Sequence, residues 1–174
     1  MQTRFFAWDY ASALEAAARA RELLWTSAAV FETAEYHFYA ALTRAAVCGT
    51  ADSQVDSSSE ASAKEEALAK GEHFQALAEH YKQLALWAKN CPENFENRMA
   101  LVGAEIARVE GRELDVERLY ENAIQSARSN GFVHNEALAN ELAARFYLAR
   151  RFHKIANAYL RDARYGYLSW GAEG

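Results

Sequence analysis

Proline, cysteine and β-branched residues are scarce in this chain of 174 residues, and each shortage argues against a particular kind of structure. A single proline leaves most of the chain free to form long helices. Two cysteines, Cys48 and Cys91, make no disulfide framework, and we expect reduced thiols in a cytoplasmic protein. Valine and isoleucine are few, which argues against a β-sheet.

Long apolar runs and an excess of basic residues are also missing. No stretch approaches the roughly 20 apolar residues that a membrane-spanning helix needs, so membrane insertion is not expected. The N-terminal sequence has neither an apolar signal segment nor a small-residue cleavage site. The net charge of −5 gives no electrostatic reason to expect nucleic acid as the main partner.

What the chain does contain is alanine, glutamate and apolar residues at helical spacing. Apolar types make up 51% and charged types 25%, a composition typical of a folded helical protein. The residues between about 49 and 62 have no periodicity, which predicts a mobile loop. The periodicity elsewhere predicts seven main helices, over residues 9–25, 28–48, 62–90, 95–110, 113–130, 133–150 and 153–170.

Individual residues mark the predicted helix ends. Ser62 and Glu65 have the spacing of a capping box at the start of the third helix. Pro92 follows the end of that helix, and Asn94 is expected to cap the next one. Gly131 is expected to end its helix with a positive φ.

A doublet of small residues recurs at a distance of 40 positions, as Gly103-Ala104 and again as Ala143-Ala144. An earlier predicted helix contains a similar doublet, Ala40-Ala41. An echo of this length is typical of helical repeat arrays, in which small residues let helices approach closely. We therefore expect an all-α α-solenoid of antiparallel helix pairs, with about seven helices and a period of about 40 residues.

The second helix of a pair carries Val116, Tyr120 and Ala123 on one face. Together with the small residues at Ala104 and Ala144 in the first helices, this frame resembles the tetratricopeptide (TPR) repeat. The period is longer than the roughly 34 residues of that repeat. The resemblance implies a TPR-like fold and a role in protein–protein interaction.

Longer strings are similar to one bacterial family of very large multidomain signalling proteins. Its members contain a serine/threonine-kinase-like domain, an AAA-type ATPase, a helical repeat region, a GAF domain and a C-terminal sensor histidine kinase. The resemblance places this chain at the end of the repeat region, just before the GAF domain. The matching strings are LLWTSAAVFETAEYHFYAAL, CPENFENRMALVGAEIARVEGRELDVERLYENAI, ARSNGFVHNEALANELAARFYLAR and KIANAYLRDARYGYLSWGA.

These resemblances imply a single TPR-like domain over residues 1–174. We divide it into the end of a truncated pair and three full pairs, over residues 1–27, 28–92, 93–131 and 132–171. The implied function is a non-catalytic scaffold and interaction segment of a bacterial two-component histidine kinase, linking its ATPase-like and GAF/kinase parts. The alternative is a segment that takes part directly in phosphotransfer or nucleotide binding. Expected partners are adjacent domains, a signalling protein, or a second copy that docks at the N-terminal edge.

The sequence predicts no catalytic residue, cofactor site or metal site. The five histidines form neither H-E-x-x-H nor a Cys/His zinc pattern. His73 and His80 share a helix face but lack a third ligand at a fitting position. His134, followed by Asn135 and Glu136, lacks the proline that usually accompanies a phosphoacceptor histidine. We therefore expect that the isolated segment is not an enzyme, although the parent protein would be an ATP-dependent kinase.

Two polar surfaces are the candidate binding sites. The TPR resemblance implies that the first helices of the pairs line a groove for partner segments, with Leu101, Leu138 and Leu148 beside its polar residues. The spacing of two of these residues, Glu141 and Arg145, favours an ion pair. The alternative is a network that packs one repeat on the next, including a pair between Glu105 and Arg145. The polar candidates are Arg98, Glu105, Arg108, Glu141 and Arg145.

The second surface is a basic cluster near the end of an otherwise acidic chain. It could contact an acidic partner such as the following domain, and the alternative is a solvated outer face. Its residues are Arg150, Arg151, Lys154, Arg161 and Arg164. Three tryptophans near helix ends, Trp25, Trp87 and Trp170, are expected to wedge between helix pairs.

Overall fold

The computed structural model describes residues 1–26, 30–50 and 60–172, and within these ranges it contains helices and no strands. The predicted all-α fold class is therefore confirmed. The seven predicted helices correspond to α2–α8, and a short helix α1 precedes them. The elements are α1 (Gln2–Phe6), α2 (Tyr10–Leu23), a 3-10 turn (Leu24–Thr26), α3 (Val30–Thr50), α4 (Glu60–Asn90), α5 (Pro92–Val109), α6 (Glu113–Ser129), α7 (Val133–Ala149) and α8 (His153–Trp170).

The predicted loop over residues 49–62 falls largely on residues that lie outside the described ranges. Residues 49–50 end α3, and residues 60–62 belong to the start of α4. Because α4 begins at Glu60, Ser62 lies inside the helix and the capping-box prediction at that residue is wrong. In the part of the chain that the structure describes, no helix is long and apolar enough to span a bilayer.

The chain forms two compact units. The first comprises Met1–Leu86 and Val109–Gly111, and the second comprises Trp87–Arg108 and Arg112–Gly174. The unit boundary within α4 therefore falls between its main part and its last turn.

In the first unit, α2 packs on α3 through small residues and aromatic rings. The Asp9 side chain caps α2 by accepting a hydrogen bond from the Ser12 backbone N–H at 3.1 Å. Ala17 on α2 and Ala40 on α3 are buried in one apolar cluster. Phe5 of α1 adds a ring 5.8 Å from that of Tyr39. Aromatic packing therefore holds α1 on this helix pair.

The second unit has a regular rhythm of 20 residues, half the spacing seen in the sequence. Helices α6, α7 and α8 begin 20 positions apart. Each turn closes through the same backbone bond, for instance from the Phe132 N–H to the Ala127 carbonyl at 2.9 Å and from the Phe152 N–H to the Tyr147 carbonyl at 2.9 Å. This bond satisfies a carbonyl that the helix end leaves open.

One residue in each of these turns has a positive φ. Gly131 has a φ of 76° and Gly171 one of 88°, so the prediction for Gly131 is confirmed. The equivalent residue between α7 and α8 is Arg151, with a φ of 65°. A side chain therefore occupies a backbone conformation that favours glycine.

The start of α5 differs from the prediction. Pro92 follows the end of α4 at Asn90, as predicted, but it is also the first residue of α5. Proline fits this position because its missing N–H would have no partner in the first turn. Asn94 therefore lies inside α5, where its side-chain amide donates to the Cys91 Sγ at 3.1 Å rather than capping the helix.

The small-residue doublets are buried, as expected for sites of close helix packing. Ala104, Ala143 and Ala144 are all inaccessible to solvent. A further close approach was not predicted: a Cβ atom on Gly166 of α8 would lie 2.8 Å from the Ala137 Cβ of α7. The absence of a side chain at Gly166 lets these two helices touch.

Candidate partner-binding surface

Glu105 of α5 lies in a buried polar cluster in the second unit. Its carboxylate accepts a hydrogen bond from the Tyr120 hydroxyl of α6 and pairs with Arg108, whose Nη2 lies 2.8 Å from Oε2. Burial raises the pKa of Tyr120, the Glu105 charge raises it further, and Arg108 and Arg145 oppose the rise. The Tyr120 hydroxyl therefore stays protonated and joins α5 to α6.

Arg98 of α5 is also buried, with 3% of its surface exposed. Its Nη1 donates to the Asn94 carbonyl at 2.8 Å, and its guanidinium lies 5.1 Å from the centre of the Phe132 ring. Phe132 is the residue immediately before α7. The Arg98 and Glu105 side chains therefore take part in helix packing rather than in an open surface.

The other three groove candidates reach solvent. Glu141 and Arg145 form the expected ion pair on α7, with 19% and 29% of their side chains exposed. The Tyr167 hydroxyl of α8 donates to the second oxygen of Glu141 at 2.6 Å. On α5, Arg108 has 27% of its side chain exposed. Leu148, at the end of α7, is exposed as well, whereas the remaining two groove leucines, Leu101 and Leu138, are in the core.

A buried pair of side-chain amides joins α5 to α7, the first helices of two successive pairs, and was not predicted from the sequence. The Asn135 side-chain N–H of α7 donates to the Asn97 Oδ1 of α5 at 2.7 Å, and each residue is 2% exposed. The available signal was that both asparagines lie near the start of a first helix, 38 positions apart.

The predicted basic cluster contains two kinds of residue. Arg150 bridges α7 and α6, because its guanidinium pairs with Glu113 at 2.5 Å and Glu117 at 3.3 Å. It also lies 5.1 Å and 5.3 Å from the ring centres of Phe146 and Phe152. Arg150 is thus a packing residue. The exposed members are Arg151, Lys154, Arg161 and Arg164.

The three tryptophans have different surroundings. Trp87 packs on Phe95, with ring centres 5.4 Å apart, and Trp170 stacks on His134 at 5.3 Å. Trp25 is 85% exposed, so the wedge expectation is wrong for this residue. It lies in the 3-10 turn after α2 rather than on a packed helix face.

A line of basic and polar groups lies between α3 and α4 in the first unit. The Nδ1 atoms of His37 and His80 are 3.0 Å apart. Two turns along the helices, the Arg44 Nη1 is 3.2 Å from the His73 Nδ1. His37 and Arg44 are seven positions apart on α3, and their partners His80 and His73 are seven positions apart on α4 in the reverse order. The two helices are therefore antiparallel.

Burial controls the ionisation of these histidines. Burial lowers the pKa of His80 to about 4, and the neighbouring His37 and Arg44 add to this effect. Burial also lowers the pKa of His37 and, together with Arg44, that of His73. The spacing of His73 and His80 was visible in the sequence, but their partners, Arg44 and His37, were not predicted, although they are also seven positions apart on α3. Among the described residues, no group of three or more His, Cys, Asp or Glu side chains is placed to hold a metal ion.

In a comparison with protein families, the model for CHK1-like TPR repeats matches residues 57–158. This match covers more than half of the chain. The chain belongs to the family of CHK1-like TPR repeats. The TPR-like α-solenoid predicted from the small-residue doublets is thereby confirmed, and CHK1-like TPR repeats are helical repeats of the kind that mediates protein–protein interaction. No curated protein and no solved structure matches the chain significantly.

Proposed function

We propose that this chain is a non-catalytic scaffold and protein-interaction segment of a multidomain bacterial signal-transduction histidine kinase. In this proposal it links the ATPase-like part to the GAF and kinase parts within the cytoplasm. Membership of the CHK1-like TPR repeats supports the interaction role. The long strings that resemble the repeat region before the GAF domain support the kinase context.

The observation that carries the interaction role is the set of partly exposed charges on the first helices. Arg108, Glu141 and Arg145 are each held by a defined partner before any ligand arrives. Glu141, for example, accepts from Tyr167 while it pairs with Arg145. A side chain that is already fixed loses less conformational entropy when a partner binds. The two arginines favour a partner segment with carboxylate groups, because guanidinium binds carboxylate through two parallel hydrogen bonds.

A second contact in the same proposal is the exposed face of α8. Lys154, Arg161 and Arg164 lie on it together with the exposed apolar residues Ile155 and Leu168. Mixed basic and apolar character suits an acidic domain surface, which we propose to be the adjacent domain of the parent protein. We also propose that a second copy can dock at the N-terminal edge, where an apolar groove of about 480 Å³ is lined by residues that include Leu23, Leu24, Phe31, Tyr36 and Tyr39.

Binding to the adjacent GAF domain of the parent protein tests the proposal. The double variant Arg108→Glu and Arg145→Glu should weaken binding at least about tenfold by calorimetry, because each change replaces attraction by repulsion. The matched control is Lys82→Glu, an exposed charge reversal on α4 that should leave the affinity unchanged. Circular dichroism would establish that the variants keep their helical content.

The phosphotransfer alternative is tested with the same chain and radiolabelled ATP. We expect neither label on the protein nor release of phosphate above a buffer control. Stoichiometric labelling, or hydrolysis that increases with protein concentration, would contradict the scaffold proposal. In the binding experiment, equal affinity of the double variant and the wild type for the GAF domain would show that Arg108 and Arg145 do not form the binding surface.

A further inference from the structure

The imidazoles of His37 and His80 converge on one point between α3 and α4. Their Nδ1 atoms are 3.0 Å apart, and their ring planes are inclined by 74°. His80 is 8% exposed, whereas His37 is partly open to solvent. The two Nδ1 atoms therefore meet between a buried ring on α4 and a partly exposed ring on α3.

This separation is close to that of two nitrogens bound to one metal ion. Two imidazoles at the usual Zn–N distance of about 2.0–2.1 Å and a tetrahedral angle have nitrogens about 3.3–3.4 Å apart. A tetragonal copper or nickel centre with similar bonds at right angles has them about 2.9 Å apart. Entry of such an ion therefore requires the nitrogens to move by only a few tenths of an ångström.

We propose that His37 and His80 form a two-imidazole site for a divalent transition-metal ion of the zinc, copper or nickel class, with water completing the coordination. The neighbouring Tyr36 ring lies 5.2 Å from the His37 ring and 5.4 Å from the His80 ring, and it limits the rotation of both. Imidazole ligands suit these ions, whereas magnesium and calcium bind oxygen ligands.

Metal binding would also rearrange one proton of the pair. The neutral pair shares a hydrogen bond, in which one Nδ1–H donates to the other Nδ1. When both Nδ1 lone pairs bind the metal, the donating ring carries its proton on Nε2 instead. No net proton is released, and each ring stays neutral.

The surroundings limit the affinity and set the class of site. Arg44 lies close enough to disfavour positive charge at His80, while Glu79 acts in the opposite direction. Structural zinc sites have four protein ligands and catalytic sites usually three. A site with two protein ligands therefore holds an exchangeable ion and leaves coordination positions open to solvent ligands.

The test is a titration of the full chain, in the Cys91→Ser background, with zinc chloride and with magnesium chloride as the control. Long-range ¹H–¹⁵N spectra of the five imidazoles identify both the ring and the nitrogen that respond. We expect the Nδ1 signals of His37 and His80 to shift together and to saturate at one zinc per chain, with no response to magnesium. Isothermal calorimetry should show at least a tenfold loss of affinity for His37→Gln and for His80→Gln.

The control variants are His73→Gln, on the same helix as His80, and His153→Gln, at an exposed position. Both should bind zinc as the wild type does. Zinc shifts confined to His134 or His153, movement of only one ring of the pair, or full affinity in His37→Gln would each overturn the proposal. The imidazole spectra of the wild type decide the matter even if a variant fails to fold.

Discussion

His80 illustrates how burial acts at the scale of a single residue. His80 is almost inaccessible to water, and its Nδ1 lies 3.0 Å from that of His37. Burial disfavours the protonated ring, and the neighbouring His37 and Arg44 add to this effect, so the pKa of His80 falls to about 4. The clusters at Glu105 and Glu141 follow a similar rule, since each carboxylate is matched by an arginine and a tyrosine hydroxyl.

The sign of this shift predicts a loss of stability in mild acid. Between about pH 6.5 and pH 4 the unfolded chain binds a proton at His80 and the folded chain does not, so the free energy of unfolding falls as the pH falls. At 1.36 kcal/mol per pKa unit the effect is roughly 1–3 kcal/mol. Urea unfolding of the wild type and His80→Gln, in metal-free buffer across this range, measures it. His153→Gln is the control, and parallel pH curves for the wild type and His80→Gln would contradict the prediction.

At the scale of helices and turns, small residues and backbone angles control how elements meet. Gly166 allows α8 to touch α7 at Ala137, and the turns of the second unit share one backbone geometry. Positive φ at Gly131 and Arg151 belongs to that geometry. In the second unit, the close approach of α7 and α8 and the shape of the turns therefore depend on a few identifiable positions.

Gly166→Ala should destabilise the protein by roughly 1–3 kcal/mol, because the new methyl group would lie 2.8 Å from the Ala137 Cβ. Gly71→Ala on α4 is the matched control. No atom lies within 4 Å of the Cβ that it adds, so better helix propensity should stabilise by roughly 0.5–1 kcal/mol. Thermal unfolding compares them, and an equal change for the two variants would show that the contact with α7 does not matter.

Arg151→Gly should stabilise the protein by up to about 1 kcal/mol. Glycine removes the cost of a side chain at a φ of 65°, and its greater freedom when unfolded offsets part of the gain. Gly131→Ala makes the reverse change in the preceding turn, where space is open but φ is 76°, and should cost about 1 kcal/mol. Chemical unfolding provides both values. If Arg151→Gly were destabilising, the Arg151 side chain would have to make a contact worth more than the strain.

At the scale of the whole molecule, charge is distributed unevenly. The chain has a net charge of −5, yet Lys154, Arg161 and Arg164 are exposed on a single helix, α8. Arg161 has an acidic neighbour, Asp162, at 3.1 Å. Such a small basic area within an acidic molecule suits an acidic protein surface better than an extended phosphate backbone.

We therefore expect no mobility shift of duplex DNA or single-stranded RNA by micromolar protein at about 150 mM salt, where the Debye length is about 8 Å. A shifted band that persists at this salt concentration and disappears in Arg161→Glu would contradict the prediction. A band seen only at low salt and unchanged in that variant would be non-specific attraction to scattered charges.

The sequence by itself determined the features that depend on neighbours along the chain. Apolar periodicity located α2–α8, the repeated small-residue doublets indicated a helical array, and Gly131 marked a turn with positive φ. The i, i+4 spacing of Glu141 and Arg145 was enough to predict their ion pair, because a helix fixes that distance. The start of α5 was predicted three residues too late, because a proline that follows one helix can also be the first residue of the next.

Only the tertiary structure decided which side chains meet across helices. The pairs His37 with His80, Asn97 with Asn135 and Glu105 with Tyr120 depend on the register of one helix against another, which a single sequence does not encode in any local pattern. Packing also separated the candidate surface residues into buried and accessible ones. Two polar residues on one helix look alike in sequence, and whether each is buried or exposed depends on which face the neighbouring helix covers.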